Sequence, residues 1–194
     1  MPRKRSQVAE VVAALDASCR ATGVRWYLFG AQAALLYGSA RLTADVDATV
    51  LLGDVSSEAL VVALQAGGFE LRINDPKFVA ATRVIPVVHS VTGLPADIVL
   101  GGPGLEELFL SRASERDVGG ARVPVVAAED LIVMKILAGR EKDKQDVVAI
   151  LRAGRGNLDL GAIRSTIEML EEALARSDLM PLLVELERQA TQRR

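Results

Sequence analysis

The sequence has little of what disulfide, metal–thiolate or imidazole chemistry needs: its 194 residues hold one cysteine and one histidine. Cys19 alone can neither close an internal disulfide nor build a zinc site, and its solitude points to a reducing, cytoplasmic setting. Aromatic residues make up only 4% of the chain, so Leu, Val, Ile and Ala must fill the core. An excess of one charge is also missing, with 23 Lys and Arg against 25 Asp and Glu. A near-neutral balance excludes the global basic field of a strong nucleic-acid binder and leaves room only for a local patch. The visible candidates are Arg140 to Lys144 and Arg152 to Arg155. No apolar run reaches the roughly 20 residues that span a membrane. The basic start, Met1-Pro-Arg-Lys-Arg5, leads into an amphipathic segment containing acids, unlike a signal or transit peptide, and reads as a solvated tail.

Half of the residues are hydrophobic and a quarter are charged, the balance of a soluble globular chain. The length suits one well-buried domain, or a core with a smaller appendage. Ser6 is placed to cap a helix over 6–20, with Val8, Val11, Val12 and Leu15 on one stripe. A buried strand over 24–29 follows, and Gly30 marks a sharp exit into a short helix over 31–37. A second strand covers 45–52, and a helix capped by Ser56 or Ser57 runs to Ala66. Two strands over 83–89 and 96–100 flank the turn Thr92-Gly93. After Gly101-Gly-Pro-Gly104, which reads as a turn, the pattern is mostly helical apart from a short strand over 123–126. This order predicts an α/β (α+β) fold: a mixed sheet flanked by helices over 1–126, and a helical C-terminal subdomain over 127–194.

The chemistry concentrates in one short segment. Side chains at i and i+2 of a strand share a face, so Asp45 and Asp47 project together if Val46 faces the core. Two carboxylates held that close repel unless a positive group lies between them. A divalent ion taking hard oxygen ligands answers that need, and Mg²⁺ suits it better than zinc, for which His and Cys are lacking nearby. Gly30, at a strand end before the helix from Ala31, offers backbone N–H groups of the kind that bind phosphate. Asp97 lies on a strand whose apolar neighbours would bury it, an odd placement for structure alone.

Further along, Lys135 sits among Leu131, Ile132, Val133, Met134, Ile136 and Leu137, where a cation has little use without an anion to meet. That anion is read as a nucleotide phosphate or the carboxylate cluster. Lys142, Asp143 and Asp146 recur at helical spacing, and Gly139 either allows close backbone approach or marks a break. The bland alternative is a set of surface pairs joining Asp143 and Asp146 to Arg140 and Lys142. Arg41 reads either as a bidentate phosphate ligand or as a salt-bridge partner for an aspartate. Thr43 reads equally as a ligand or as a turn hydroxyl. His89, on an apolar strand, reads first as a hydrogen-bonded structural residue.

Gly30-Ala31 followed by Asp45-Val-Asp47 resembles the polymerase-β-type nucleotidyltransferase pattern. The fuller set, Arg41-x-Thr43-x-Asp45-x-Asp47 with the later block from Asp130 through Lys135 and Lys142-Asp143 to Asp146, is similar to the AbiEii-like nucleotidyltransferases, which include toxins of type IV toxin–antitoxin systems. The likeness spans roughly residues 25 to 150. It implies an Mg²⁺-dependent enzyme that moves a nucleotidyl group from an NTP to an acceptor hydroxyl, on a tRNA 3′ end or a protein. For the toxin branch it also implies a cognate antitoxin. By the same resemblance Asp45, Asp47 and Asp97 hold the metal, and these three with Lys135 are catalytic. Gly30, Ala31, Arg41, Thr43, Lys135, Arg140, Lys142 and Asp146 bind the nucleotide. Ala31 stands where the family has serine or a second glycine, keeping the backbone N–H without a hydroxyl. Two alternatives stay open: a catalytically weak nucleotide-binding or protein-interaction module, and a small-molecule transferase of the antibiotic-resistance kind.

Overall fold

The computed structural model describes residues 6–41, 43 and 45–192, so the expected basic tail lies outside the described residues. The chain forms two compact units, one of Met1–Gln32 with Thr43–Val126 and one of Ala33–Leu42 with Ala127–Arg194. The first differs from the expected span of 1–126 by residues 33–42. Among the described residues no helix is long and apolar enough to cross a membrane.

In the first unit Ser6 caps α1 (Gln7–Thr22), its Oγ accepting from Ala9 N at 3.1 Å, and Gly23 in the left-handed region ends it. The stripe Val11, Val12 and Leu15 is fully buried. The strand β1 (Arg25–Phe29) runs into α2 (Gly30–Leu36), and the chain returns through β2 (Val46–Leu51). Next come α3 (Ser57–Ala66), β3 (Phe69–Leu71), α4 (Pro76–Thr82), β4 (Val84–His89) and β5 (Pro95–Leu100). The unit closes with α5 (Leu105–Arg112), β6 (Ser114–Val118) and β7 (Ala121–Val125). Among the described residues seven strands form one mixed sheet in the order β3-β4-β5-β2-β1-β7-β6. The mixed sheet flanked by helices is the α/β architecture expected from the sequence.

Two strands escaped the sequence pattern for opposite reasons. The strand β3 is only three residues long, too short for a periodicity to show. The strand β6 reads Ser-Glu-Arg-Asp-Val and is exposed along all but its last residue. Such charged residues suit its place at the sheet edge, where they discourage pairing with another chain. The central strands obey the apolar rule: Val46, Ala48, Val50, Ala96 and Ile98 are fully buried.

The second unit is helical from Ala128 onward: α6 (Ala128–Ala138), α7 (Glu141–Ala153), α8 (Leu160–Leu174) and α9 (Leu179–Thr191). Gly139, at φ 65°, ends α6, so the segment around Lys135 is two helices joined at a glycine rather than one continuous helix. Ile132, Ile136, Val147, Ile163, Ile167 and Leu183 build its core.

Helix caps in the first unit make a simple test. Ser56 Oγ accepts from Ala59 N at 3.1 Å at the start of α3. Ser56→Ala is expected to lower unfolding stability by about 1 kcal/mol, measured by chemical denaturation, while Ser57→Ala, one residue inside the helix, stays near wild type.

Candidate active site

The strand register places the first group of acids. The strands β2 and β5 run parallel with Asp47 opposite Asp97, and Phe29 of β1 lies opposite Asp47 on the other side. Residues opposite one another on neighbouring strands share a face about 4.8 Å apart, so the Asp47 and Asp97 carboxylates stand side by side. Val46 is fully buried, whereas Asp45, one residue before β2, is exposed and Asp47 half-buried. The expectation that apolar neighbours bury Asp97 is corrected: its side chain is 46% exposed. Ala96 and Ile98 do face the core, but strand alternation turns Asp97 to the opposite, more open face.

Gly30 sets the position of Asp47. Its φ is +68°, and a Cβ built on it would lie 1.9 Å from Asp47 Oδ2 and 2.8 Å from Asp47 Cβ. The carboxylate therefore lies directly against the glycine backbone, in space that any other residue would fill. Ala31 is buried beside it. Gln32, which the sequence reading overlooked, is also buried; its Nε2 donates to Thr43 O at 2.9 Å and to Asp45 O at 3.4 Å. Thr43 takes the turn role, its Oγ1 accepting from Asp45 N at 3.2 Å. Gln32 and Thr43 thus hold the approach to Asp45 from both sides. A lone amide in the Ala- and Leu-rich segment 31–36 is the sequence signal that could have found Gln32.

Among the described residues no group of three or more His, Cys, Asp or Glu stands close enough to hold a metal ion unaided. Asp97 instead forms an ion pair with Arg72, just beyond β3. The donor set is nevertheless of the right kind for Mg²⁺, which commonly takes one or two carboxylates and completes its shell with water and substrate phosphates. Asp47 and Asp97 fit that two-carboxylate pattern, with Asp45 two residues before Asp47.

A second polar cluster lies within the helical unit. Lys135, Asp143 and Asp146 are all buried. Lys135 Nζ donates to Asp146 Oδ2 at 2.6 Å and to Asp143 Oδ1 at 3.4 Å. The anion that Lys135 meets is thus a pair of aspartates on α7, a structural use that the apolar run around it concealed. Asp146 also accepts from Ser39 Oγ at 2.6 Å and from Arg41 at 3.2 Å, so both of its oxygens are engaged. A carboxylate so occupied organises its neighbours rather than reaching for a ligand. Arg41 takes the salt-bridge role, and Arg140 pairs with Asp143. Lys142 is exposed on α7. Burial by itself would raise the Asp146 pKa, but the donations from Lys135, Ser39 and Arg41 outweigh it and hold the carboxyl below its usual value.

His89 is structural. Its Nδ1 lies 3.0 Å from Thr92 Oγ1, and its ring packs on Phe69 with centroids 5.2 Å apart.

Comparison with known proteins adds a class to this geometry. A family described as nucleotidyl transferase of unknown function (DUF2204) matches residues 104–180. The match takes in Lys135, Asp143 and Asp146 and leaves the aspartate strands β2 and β5 outside it. No curated protein matches the chain by sequence. Among solved structures, the antibiotic-resistance factor ANT(2'')-Ia is similar with a TM-score of 0.59 at 12% identity, covering 89% of this chain and 97% of that one. An antigenic nucleotidyltransferase-like protein from Paracoccidioides brasiliensis gives 0.54 at 16% identity, covering 92% and 93%. The lincosamide antibiotic adenylyltransferase LnuA gives 0.50 at 16% identity, covering 76% and 98%. The chain is thus similar to nucleotidyltransferases in fold, and over residues 104–180 in sequence.

Two measurements check this geometry. Gly30→Ala is expected to destabilise the wild type by more than it destabilises Asp47→Gly, giving a coupling of about 0.5–3 kcal/mol in a double-mutant cycle; equal costs in both backgrounds would contradict the close approach. For Asp146, a depressed folded pKa means that its stabilisation is complete above the unfolded value of about 3.9 and fades as pH falls through the folded value. The stability gap between wild type and Asp146→Asn, followed by denaturation at a series of pH values, is therefore expected to be widest near neutrality and to close below pH of about 4.

Proposed function

We propose that the protein transfers a nucleotidyl group from an Mg²⁺-bound NTP to an acceptor hydroxyl, releasing pyrophosphate. The observation that carries this reading is the matched register of Asp47 and Asp97, with Gly30 clearing the space for the Asp47 carboxylate. Asp47 and Asp97, joined by Asp45, hold the metal in this reading. A divalent ion bound there supplies charge neutralisation for the triphosphate and for the pyrophosphate leaving group. The acceptor oxygen attacks the α-phosphorus, the bond from that phosphorus to the α,β-bridging oxygen breaks, and Asp97 takes the acceptor proton. In this reading the backbone N–H groups at Gly30 and Ala31 would bind the phosphates. Lys135 and Asp146 act at one remove, by fixing Ser39 and Arg41 in the segment that leads to Asp45.

The acceptor divides this reading in two. The likeness of the Arg41-to-Asp47 segment and the Lys135 block to the AbiEii-like toxins supports a tRNA 3′ end or a protein, with an antitoxin as partner. The fold shared with ANT(2'')-Ia and LnuA supports a small antibiotic instead. Purified protein incubated with each labelled NTP and Mg²⁺ is expected to label one of total tRNA, a protein, or a member of an antibiotic panel that includes lincosamides. Asp47→Ala is expected to lower that labelling by at least about 100-fold, the upper end of what losing a residue behind a metal ligand costs. NTP binding with no transfer to any of these acceptors would sink the enzymatic reading in favour of a binding module.

A further inference from the structure

Arg72 has no place in the chemistry described so far, yet the sheet delivers it to the candidate metal site. Its backbone N–H donates to Pro86 O at 2.9 Å, pinning the residue to β4 just after the end of the edge strand β3. Pro86 lies opposite Asp97, and Asp97 lies opposite Asp47. Arg72, Pro86, Asp97 and Asp47 therefore occupy one row across four neighbouring strands. Two strand spacings separate Arg72 from Asp97, about 10 Å at the backbone. Only a long side chain covers that distance, and the buried proline between them is compact enough to be crossed. The Arg72 guanidinium ends on Asp97 Oδ1, forming the ion pair already noted.

Two features separate this pair from a structural salt bridge. The side chains of Arg72 and Asp97 are 40% and 46% exposed, so solvent screens the pair and it holds only weakly. By contrast, the buried Lys135–Asp146 pair is closed to solvent. The position also matters: a cation on Asp97 lowers the repulsion between neighbouring carboxylates that a divalent ion would otherwise relieve.

We propose that Arg72 is a placeholder cation, neutralising Asp97 while the site is empty and moving to the nucleotide phosphates when metal and nucleotide bind together. A placeholder of this kind makes bare metal a poor ligand and favours entry of the metal with the triphosphate. Once displaced, the guanidinium is still tethered at Pro86, at the rim of the site, where its planar fork suits phosphate oxygens. Arg72 would thus be a positioning residue in the empty state and a phosphate ligand in the loaded one. The proposal rests on the two-carboxylate metal site of the preceding section.

The test reads binding rather than turnover. Free Mn²⁺, followed by its electron paramagnetic resonance signal, is titrated with wild type, Arg72→Ala, Arg72→Gln and Asp47→Asn. Inorganic tripolyphosphate serves as a base-independent stand-in for the nucleotide. Without tripolyphosphate, both Arg72 variants are expected to bind Mn²⁺ about five-fold more tightly than wild type, the scale of an exposed ion pair removed. With Mn²⁺ present, the same variants are expected to bind tripolyphosphate several-fold more weakly. Opposite shifts of metal and phosphate are not what a loss of fold produces, and the second variant guards against a cavity peculiar to alanine. Mn²⁺ binding that is lost in Asp47→Asn but unchanged or weakened in both Arg72 variants would overturn the placeholder and leave the metal site standing. No Mn²⁺ binding by any of the proteins, with or without tripolyphosphate, would overturn both.

Discussion

Two carboxylates at the same level of adjacent strands repel each other, and much of the first unit can be understood as a response to that constraint. The parallel pairing of β2 with β5 brings Asp47 and Asp97 to one face, and the hydrogen bonds of the ladder prevent either from sliding away. The glycine at position 30 gives up a side chain so that Asp47 can lie against its backbone. Gln32 and Thr43 fasten the turn before Asp45. Arg72 crosses β4 to put a positive charge on Asp97. Each of these features is unusual in an ordinary sheet: a glycine at positive φ, a buried amide and a long extended side chain.

The helical unit handles charge differently. Lys135, Asp143 and Asp146 are buried and satisfied by one another, and Ser39 and Arg41 complete the set. Burying ions is expensive unless geometry and hydrogen bonding are nearly complete, and such networks more often specify one arrangement than add stability. Here the arrangement specified is that of Ser39 and Arg41, which the chain places between Gly30 and Asp45. The Arg72–Asp97 pair is open to solvent, whereas this cluster is enclosed.

Sequence patterns exposed the skeleton of the site more readily than its connections. Asp45 and Asp47 stood out because alternation on a strand is a local property, and Val46 is buried as that alternation requires. Lys135 stood out because a cation in an apolar run demands an anion. The partner was harder to see: Asp146 lies on the next helix, beyond the glycine that ends α6. Asp97 was noticed as an acid on a strand, but its degree of burial was misjudged, because a list of apolar neighbours does not say which face each occupies. The strands β3 and β6 went unnoticed, one too short and one too polar to carry a pattern.

The sequence by itself determined the class of fold, the acid pair at the start of β2, the glycine ahead of it and the need for an anion near Lys135. These depend on residues within a few positions of one another, where backbone periodicity governs direction. Only the tertiary structure decided that Asp97 stands beside Asp47, that Arg72 reaches it across Pro86, and that Asp146 gathers Ser39, Arg41 and Lys135. Those contacts join residues from 11 to 107 positions apart. Strand order, register and helix packing set them, and no local pattern encodes which distant element will come to lie alongside.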